Sequence, residues 1–210
     1  DGGGSVGPQD WTGYGVCSGD FRLEYHPREN ATLTFAHYQL YEDDAWRTHK
    51  TVHGISWQGT TVGNERKRVI DEGRSLTYLR YATRDTGAFV DAMELTASFQ
   101  TLKERRWRTK SNFSGDRQGF DVHTYGLGAQ FETESPVGRW TYGVEWYHDE
   151  VDSFKDKYNA AGVKTASEIQ GPVGDDASYD LLGLYVQDNI PLAERLDVIL
   201  GGRYTYARAA

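Results

Sequence analysis

Cysteine is almost absent from this chain of 210 residues: Cys17 is the only one, which excludes an internal disulfide bond. Long hydrophobic runs are absent as well. The longest, LLGLYV at 181–186, is far shorter than the roughly 18 residues that a membrane-spanning helix needs. A helical membrane protein is therefore excluded. A membrane β-barrel is not, because its strands are only half apolar.

Positive charge is also scarce: the 23 basic residues are outnumbered by 31 acidic ones, and the net charge is -8. An acidic chain is not attracted to a phosphate backbone, so no nucleic-acid partner is expected. The sequence has no nucleophile elbow and no phosphate-binding glycine loop, so we predict no enzyme, no cofactor and no metal site. The chain starts at Asp1 without a signal-peptide pattern. We expect either a cleaved leader or a piece of a longer protein.

Aromatic residues and glycine are abundant, with 14 Tyr, 6 Trp, 8 Phe and 24 Gly. The stretch RWTYGVEWYHDEV, residues 139–151, shows how the aromatic residues are arranged. Trp140, Tyr142, Val144 and Trp146 alternate with Thr141, Gly143, Glu145 and Tyr147. Alternation with period two predicts a β-strand with two unlike faces.

Similar alternation along the chain predicts about eight antiparallel strands and no helix of ordinary length. The predicted connections alternate between short and long, with long polar loops at 43–74, 104–118 and 152–177. Outer-membrane barrels have short periplasmic turns and long extracellular loops, whereas the connections of soluble sandwiches are not segregated by length. The predicted fold class is therefore all-β, an antiparallel up-and-down transmembrane β-barrel. The eight strands would be part of a larger barrel with three long extracellular loops.

The composition of the two faces predicts their surroundings, because lipid excludes charge and a wet lumen accepts it. The residues predicted to face the lumen are Glu94, Gln130, Glu132, Glu145 and Arg203. The residues predicted to face lipid are Leu95, Phe99, Leu127, Phe131, Trp140, Tyr142, Val144, Trp146, Leu184, Val198, Leu200 and Tyr204. Trp140 and Tyr142 would lie near the periplasmic interface and Tyr204 near the outer one. The alternative is that these aromatic residues fill a soluble core.

Two of the predicted loops hold candidate ligand-binding residues. Those residues are Trp46, Arg47, His49, His53 and Trp57 in the first loop and Arg105, Arg106 and Trp107 in the second. Cations beside aromatic rings suit an anionic, flat ligand such as a ferric catecholate or haem. His49 and His53 would share a metal only if the segment were helical, so solvated loop histidines remain the alternative.

The direction of the strands predicts where the chain ends lie. If the short turns are periplasmic, both ends of this chain would be extracellular. A complete bacterial barrel has both ends in the periplasm, so we expect an internal segment of a larger barrel.

The stretches WTYGVEWYHDEV, YVQDNIPLAERLDVILGGRYTY and MELTASFQ resemble, in their order and spacing, the barrel of TonB-dependent receptors of the Gram-negative outer membrane. The resemblance implies that residues 1–210 are part of such a barrel, and that the plug domain is not present in this chain. It further implies about 22 strands around a plug and uptake of a scarce nutrient energised by the TonB complex.

The implied cargo is a ferric siderophore or haem, and the other implied partners are membrane lipid and lipopolysaccharide. A passive porin-like channel and a soluble secreted β-sandwich that binds carbohydrate or protein remain as alternatives.

Overall fold

A computed structural model describes residues 9–56, 58–87 and 89–210. Apart from one 3₁₀ turn at Thr48–Lys50, the regular structure in these ranges is all β. The strands are β1 (Gly15–Arg28), β2 (Ala31–Trp46), β3 (Lys67–Arg84), β4 (Ala92–Thr109), β5 (Gly115–Glu134), β6 (Arg139–Tyr158), β7 (Lys164–Glu168), β8 (Ala177–Ala193) and β9 (Leu196–Ala209). No helix in the described ranges is long and apolar enough to cross a lipid bilayer.

The strands form one 9-stranded antiparallel sheet in the order β1-β2-β3-β4-β5-β6-β8-β9. Consecutive strands along this path are neighbours, so the topology is up-and-down and the predicted fold class is confirmed. The exception is β7, which pairs with β6 alone. The sheet is open, with β1 and β9 at its two edges.

The two ends of the sheet carry different connections. At one end, called the turn end, are residues 29–30, 85–91, 135–138 and 194–195. At the other, called the rim end, are residues 47–66, 110–114 and 159–176, the last of which include β7. The two longest connections, 47–66 and 159–176, thus lie at the rim end, while 110–114 is short.

The cross-strand register defines two faces, because side chains alternate along every strand. One row across β4, β5, β6, β8 and β9 is Glu94, Gln130, Gly143, Tyr185 and Arg203. The adjacent row, on the opposite face, is Leu95, Ala129, Val144, Leu184 and Tyr204. We call these the polar face and the apolar face. Every residue predicted to face the lumen lies on the polar face, and every residue predicted to face lipid lies on the apolar face.

The apolar face carries no covering layer of protein in the described part of the chain. Leu127 is 54% exposed, Leu184 47% and Leu200 59%. Among the described residues the buried hydrophobic ones are few and none is aromatic, namely Ala31, Ala36, Val69 and Ile70. In a β-sandwich a second sheet would cover the apolar face. The structure therefore does not support the soluble-sandwich alternative.

The strands extend further at the rim end than the sequence predicted. Residues 104–118, predicted to be a long loop, form the end of β4, a short connection and the start of β5. The prediction of three long loops was therefore wrong for the second loop. In this region both faces carry charged residues and the alternation disappears. A backbone hydrogen-bond ladder does not need apolar side chains, so the strands continue.

Candidate functional site

Three arginines meet on the polar face at the rim end. Arg68 of β3 lies opposite Arg108 of β4, and Arg106 follows on the same face of β4. We call Arg68, Arg106 and Arg108 the rim arginine cluster. Arg108 Nε donates a hydrogen bond to Asp116 Oδ2 at 2.8 Å, and Arg106 Nη2 lies 3.4 Å from Asp116 Oδ1. The Asp116 side chain is only 2% exposed, so this carboxylate interacts with the arginines and hardly with solvent.

A second carboxylate reaches the cluster from the connection 47–66. Glu65 Oε1 accepts a hydrogen bond from Arg68 Nη2 at 2.9 Å and lies 3.6 Å from Arg108 Nη1. The three guanidinium groups are thus balanced by two carboxylates, Glu65 and Asp116. The formal charge of these five side chains together is +1.

Arg106 is the least compensated member of the cluster. Burial lowers the pKa of its guanidinium, and the nearby positive charge of Arg68 lowers that pKa further. Its Nη2 hydrogen-bonds Gln118 on β5, but its buried Nε has no hydrogen-bond partner among the described residues. A buried N–H without an acceptor is costly. An anionic oxygen placed here would satisfy the donor and balance the charge.

Arg105, Arg106 and Trp107 do not form the single loop cluster that the sequence predicted. All three lie on β4, where adjacent side chains point to opposite faces. Arg106 is on the polar face, whereas Arg105 and Trp107 share the face of Leu95. Arg105 Nη2 donates to Asp121 Oδ2 at 2.5 Å. The predicted placement in a loop was wrong, because a segment interpreted as a loop has no defined faces. The predicted contact of these residues with a ligand stays a prediction.

Trp46 is the last residue of β2, not a loop residue, and it packs in an aromatic group. Its ring centre is 4.6 Å from that of Trp11 and 6.3 Å from that of His53. Lys67 Nζ lies 5.9 Å from the Trp46 ring. Trp11 was not predicted, because it lies in a glycine-rich segment without periodicity. His53 contacts these two tryptophans, while His49 lies in the 3₁₀ turn.

The remaining predicted residues of the first loop are only partly placed. The Arg47 backbone N–H donates to Arg68 O at 2.9 Å, which sets Arg47 next to the rim arginine cluster. Trp57 lies outside the described residues. Within the described ranges, no group of three or more His, Cys, Asp or Glu side chains is arranged to hold a metal ion.

Polar side chains pair across the middle of the polar face. Arg203 Nη2 donates to Glu145 Oε2 at 2.8 Å, and Tyr185 OH donates to Gln130 Oε1 at 2.9 Å. Gly183 makes the first contact possible, because a Cβ at this position would collide with the Arg203 guanidinium. The Arg203 guanidinium also lies 5.9 Å from the Tyr185 ring centre, which joins the two pairs and brings the predicted lumen residues Glu145, Arg203 and Gln130 together.

Glu94 and Glu132, the other two, lie nearer the turn end. They line a cavity of about 310 Å³ together with Glu29 and Arg84. Glu94 Oε2 is 3.6 Å from Arg80 Nη1 on the neighbouring strand. The lining of this cavity thus holds three carboxylates and one guanidinium group.

The apolar face carries packed aromatic pairs toward both ends of its apolar stretch. The rings of Phe131 and Tyr142 are 5.6 Å apart near the turn end, and those of Phe99 and Tyr125 are 5.2 Å apart toward the rim end. Trp146 stacks on His148 at 5.9 Å. Rings with one polar edge are typical of the interface between lipid and water.

A single antiparallel sheet with one polar face and one uncovered apolar face is the wall of a β-barrel of the outer-membrane type. The family model described as "TonB dependent receptor-like, beta-barrel" matches residues 6–210. The chain therefore belongs to this family of outer-membrane barrels. Its members are receptors, in agreement with the prediction that the chain is not an enzyme.

Solved structures agree with this assignment. The copper transporter OprC aligns with a TM-score of 0.72 at 14% identity, over 92% of this chain and 28% of that chain. BauA, the ferric preacinetobactin receptor from Acinetobacter baumannii, aligns with a TM-score of 0.60 at 14% identity, over 94% of this chain and 34% of that chain. This chain thus spans only part of either receptor. No curated protein matches the sequence.

Proposed function

We propose that residues 1–210 are part of the barrel wall of an active transporter in the Gram-negative outer membrane. The proposed cargo is a ferric siderophore or haem, and the proposed energy source is the TonB complex. The observation that carries the proposal is the excess positive charge of the rim arginine cluster on the polar face.

The two faces support the proposed placement in a membrane. A charged side chain at the middle of a bilayer is costly, so the exposed leucines of the apolar face suit lipid. The network of Glu145, Arg203 and Gln130 suits a wet interior. In the proposed transporter a plug domain from outside this chain fills that interior and contacts this polar wall.

The charge of the cluster supports an anionic cargo. A bare metal cation would be repelled by Arg68, Arg106 and Arg108, whereas a metal chelate with carboxylate or catecholate oxygens would be attracted. Haem carries two propionates and fits the same chemistry. Trp46 and His53 lie on a strand end and a connection next to this site, but Trp46 points toward the other face. The arginines therefore carry the proposal, and the aromatic group does not.

The test compares two neighbouring arginines in cells that depend on the whole transporter for iron. Arg106→Gln removes the least compensated charge on the polar face, and Arg105→Gln is the matched control on the opposite face. With a ferric tris-catecholate and haem as probes, we expect Arg106→Gln to weaken apparent affinity about tenfold, the loss typical of one charge-assisted hydrogen bond. The control should import normally.

Two results would contradict the proposal. Equal loss in both variants, at equal amounts of folded protein, would mean that the arginines serve only the fold. Uptake that continues in cells whose proton-motive force has been collapsed would identify a passive channel.

A further inference from the structure

The hydrogen-bond ladder along one edge of β6 is interrupted near the rim end. β7 pairs with β6 as far as Lys155, and β8 pairs with β6 from Val151 onward. The eight residues between these two strands, 169–176, thus stand opposite only 152–154 of β6. A regular antiparallel ladder pairs one residue with one, so five residues are surplus and must leave the plane of the sheet. We call residues 169–176 the strand insert.

Ser153 holds the strand insert on the polar face. Its side chain points to this face, because Ser153 pairs with Phe120, a polar-face residue of β5. Ser153 Oγ donates a hydrogen bond to Val173 O at 3.1 Å and accepts one from the Gln170 N–H at 3.2 Å. The Ser153 N–H donates to Asp175 Oδ1 at 2.8 Å. Ser153 is only 5% exposed, so the strand insert covers the polar face at this point.

The strand insert is short and its turn depends on a glycine. Gly171 has a φ of +94°, a left-handed value that other residues rarely adopt. Pro172 follows it, with a φ fixed by its ring. Five surplus residues that leave the sheet and return can reach no further than about 8 Å above it. The strand insert is therefore a compact projection held by three hydrogen bonds, and its residues 170–174 carry no charge.

The strand insert borders the rim arginine cluster on its turn-end side. Arg106 of the cluster shares a cross-strand row with Gln118 of β5 and Lys155 of β6. Ser153 lies in the next row of the polar face toward the turn end, about 7 Å along the strand direction. The backbones of β4 and β6 are two strand spacings, about 10 Å, apart. A solute that moves from the arginines along the polar face toward the turn end thus passes the strand insert.

We propose that the strand insert is a size filter. It narrows the lumen on the turn-end side of the rim arginine cluster and limits how large a ferric chelate can pass. This inference rests on the proposed transport function. Because residues 170–174 are uncharged, the strand insert selects by volume, whereas the arginines select by charge. A compact chelate passes, and the same chelate with a bulky substituent is held back at the arginines.

The first test deletes residues 170–174 from the whole transporter. The three residues that remain, 169, 175 and 176, then stand one to one opposite 152–154, so the deletion joins β7 and β8 in register and changes no charge. Radioactive iron is supplied to cells as a ferric tris-catecholate, either plain or carrying a bulky uncharged polymer. We expect the deletion to raise uptake of the bulky chelate about tenfold, the low end of steric discrimination in binding sites. Uptake of the plain chelate should stay the same.

A point variant tests the tether of the strand insert separately. Ser153→Ala removes both hydrogen bonds made by the hydroxyl group, so we expect a smaller rise in uptake of the bulky chelate than the deletion causes. Ser98→Ala, on the polar face of β4 and away from the strand insert, is the matched control and should import as the parent does. A heat-resistant electrophoretic band shows that each variant is folded.

A second readout needs no cargo. Val122→Cys, in a Cys17→Ser background, places a thiol on the polar face one row further toward the turn end than the strand insert. A small and a bulky maleimide are added to intact cells. We expect the deletion of 170–174 to raise the labelling rate of the bulky reagent about tenfold and to leave that of the small one unchanged. Lys103→Cys, an exposed position on the opposite face, is the control, and the deletion should change neither rate there.

The outcomes separate this inference from the transport proposal. An unchanged ratio of the two labelling rates in the folded deletion variant would overturn the size filter, even in a transporter that imports iron. An equal rise in uptake of both chelates would overturn it as well. A changed ratio in a protein that imports no ferric chelate would remove only the proposed cargo.

Discussion

The two halves of the long strands are stabilised in different ways. In residues 93–99 of β4, apolar and polar side chains alternate, and the apolar ones face outward without protein cover. In residues 103–109 of the same strand, charged side chains occupy both faces, and ion pairs such as Arg108 with Asp116 join the strands. The backbone register continues through both halves without a shift. Alternation of apolar and polar side chains therefore indicates that the two faces of a strand lie in different media. Loss of this alternation does not mean that the strand ends.

Strand length supports the same division. β5 and β6 have 20 residues each, whereas a tilted strand crosses the hydrocarbon layer with about 10. In the proposed membrane setting the rim halves stand in water, where ion pairs replace lipid contact.

A charge placed in the apolar half should have the largest effect. We expect Leu127→Arg on β5 to destabilise the inserted barrel by up to about 4 kcal/mol, because it exposes a cation to lipid near mid-membrane. Thr109→Arg on β4, on the same face but in the rim half, should cost little. Assembly is measured by the heat-resistant electrophoretic band of the whole receptor. Equal loss in both variants would show that the two halves do not differ.

Loss of a buried carboxylate in the rim half should have the next largest effect. Asp116→Asn leaves Arg106 and Arg108 with less compensation at a site where the aspartate side chain is 2% exposed. Because both arginines keep some contact with water, we expect a loss of about 2 kcal/mol, below the 3–5 typical of a fully buried pair. Asp121→Asn, whose side chain is 23% exposed, is the control and should cost less. Urea unfolding of the receptor measures both, and a larger loss for the control would contradict the prediction.

The fold was predictable from the sequence wherever lipid or a wet interior imposes alternation. Residues 139–151 are an example: their period of two identified both the strand and its faces, and the register agrees. The segment 104–118 was not predictable in this way. Its pairing depends on contacts between residues on different strands, such as Arg105 with Asp121. Such contacts leave no periodic pattern of apolar and polar residues in the local sequence.

The candidate site was predictable in composition but not in arrangement. The sequence identified Arg105, Arg106 and Trp107 as a basic and aromatic group, and the structure divides them between two faces. Glu65 and Asp116, which form ion pairs with the rim arginine cluster, were not identified. The sequence of a polar segment does not show with which residue an acidic side chain will pair. The face on which each side chain lies follows from the register of its strand, and this register is set by hydrogen-bond pairing with the neighbouring strands.

The smallest expected effect is local and concerns the hairpin of β6 and β7, which lies entirely in the rim half. Hydrogen bonds from Lys164 and Ser167 lower the pKa of Asp156, and a hydrogen bond from Lys157 lowers the pKa of Glu168. The folded pKa values thus lie below those of the unfolded chain, which are about 4. The two ion pairs stabilise the hairpin fully above that pH, and the stabilisation is lost as the pH falls through the folded values.

A spin label on β7 reads out this change. Ala166→Cys carries the label in a Cys17→Ser background, because Cys17 is an exposed free thiol. We expect the label to become more mobile between about pH 7 and about pH 2, as the carboxylates of Asp156 and Glu168, whose pKa values are lowered in the folded chain, gain protons. With Asp156→Asn and Glu168→Gln combined, the label should be mobile at both pH values. A label that stays immobile at low pH in the parent would show that backbone pairing alone holds β7. The rim half would then depend less on charge than the comparison of the two halves implies.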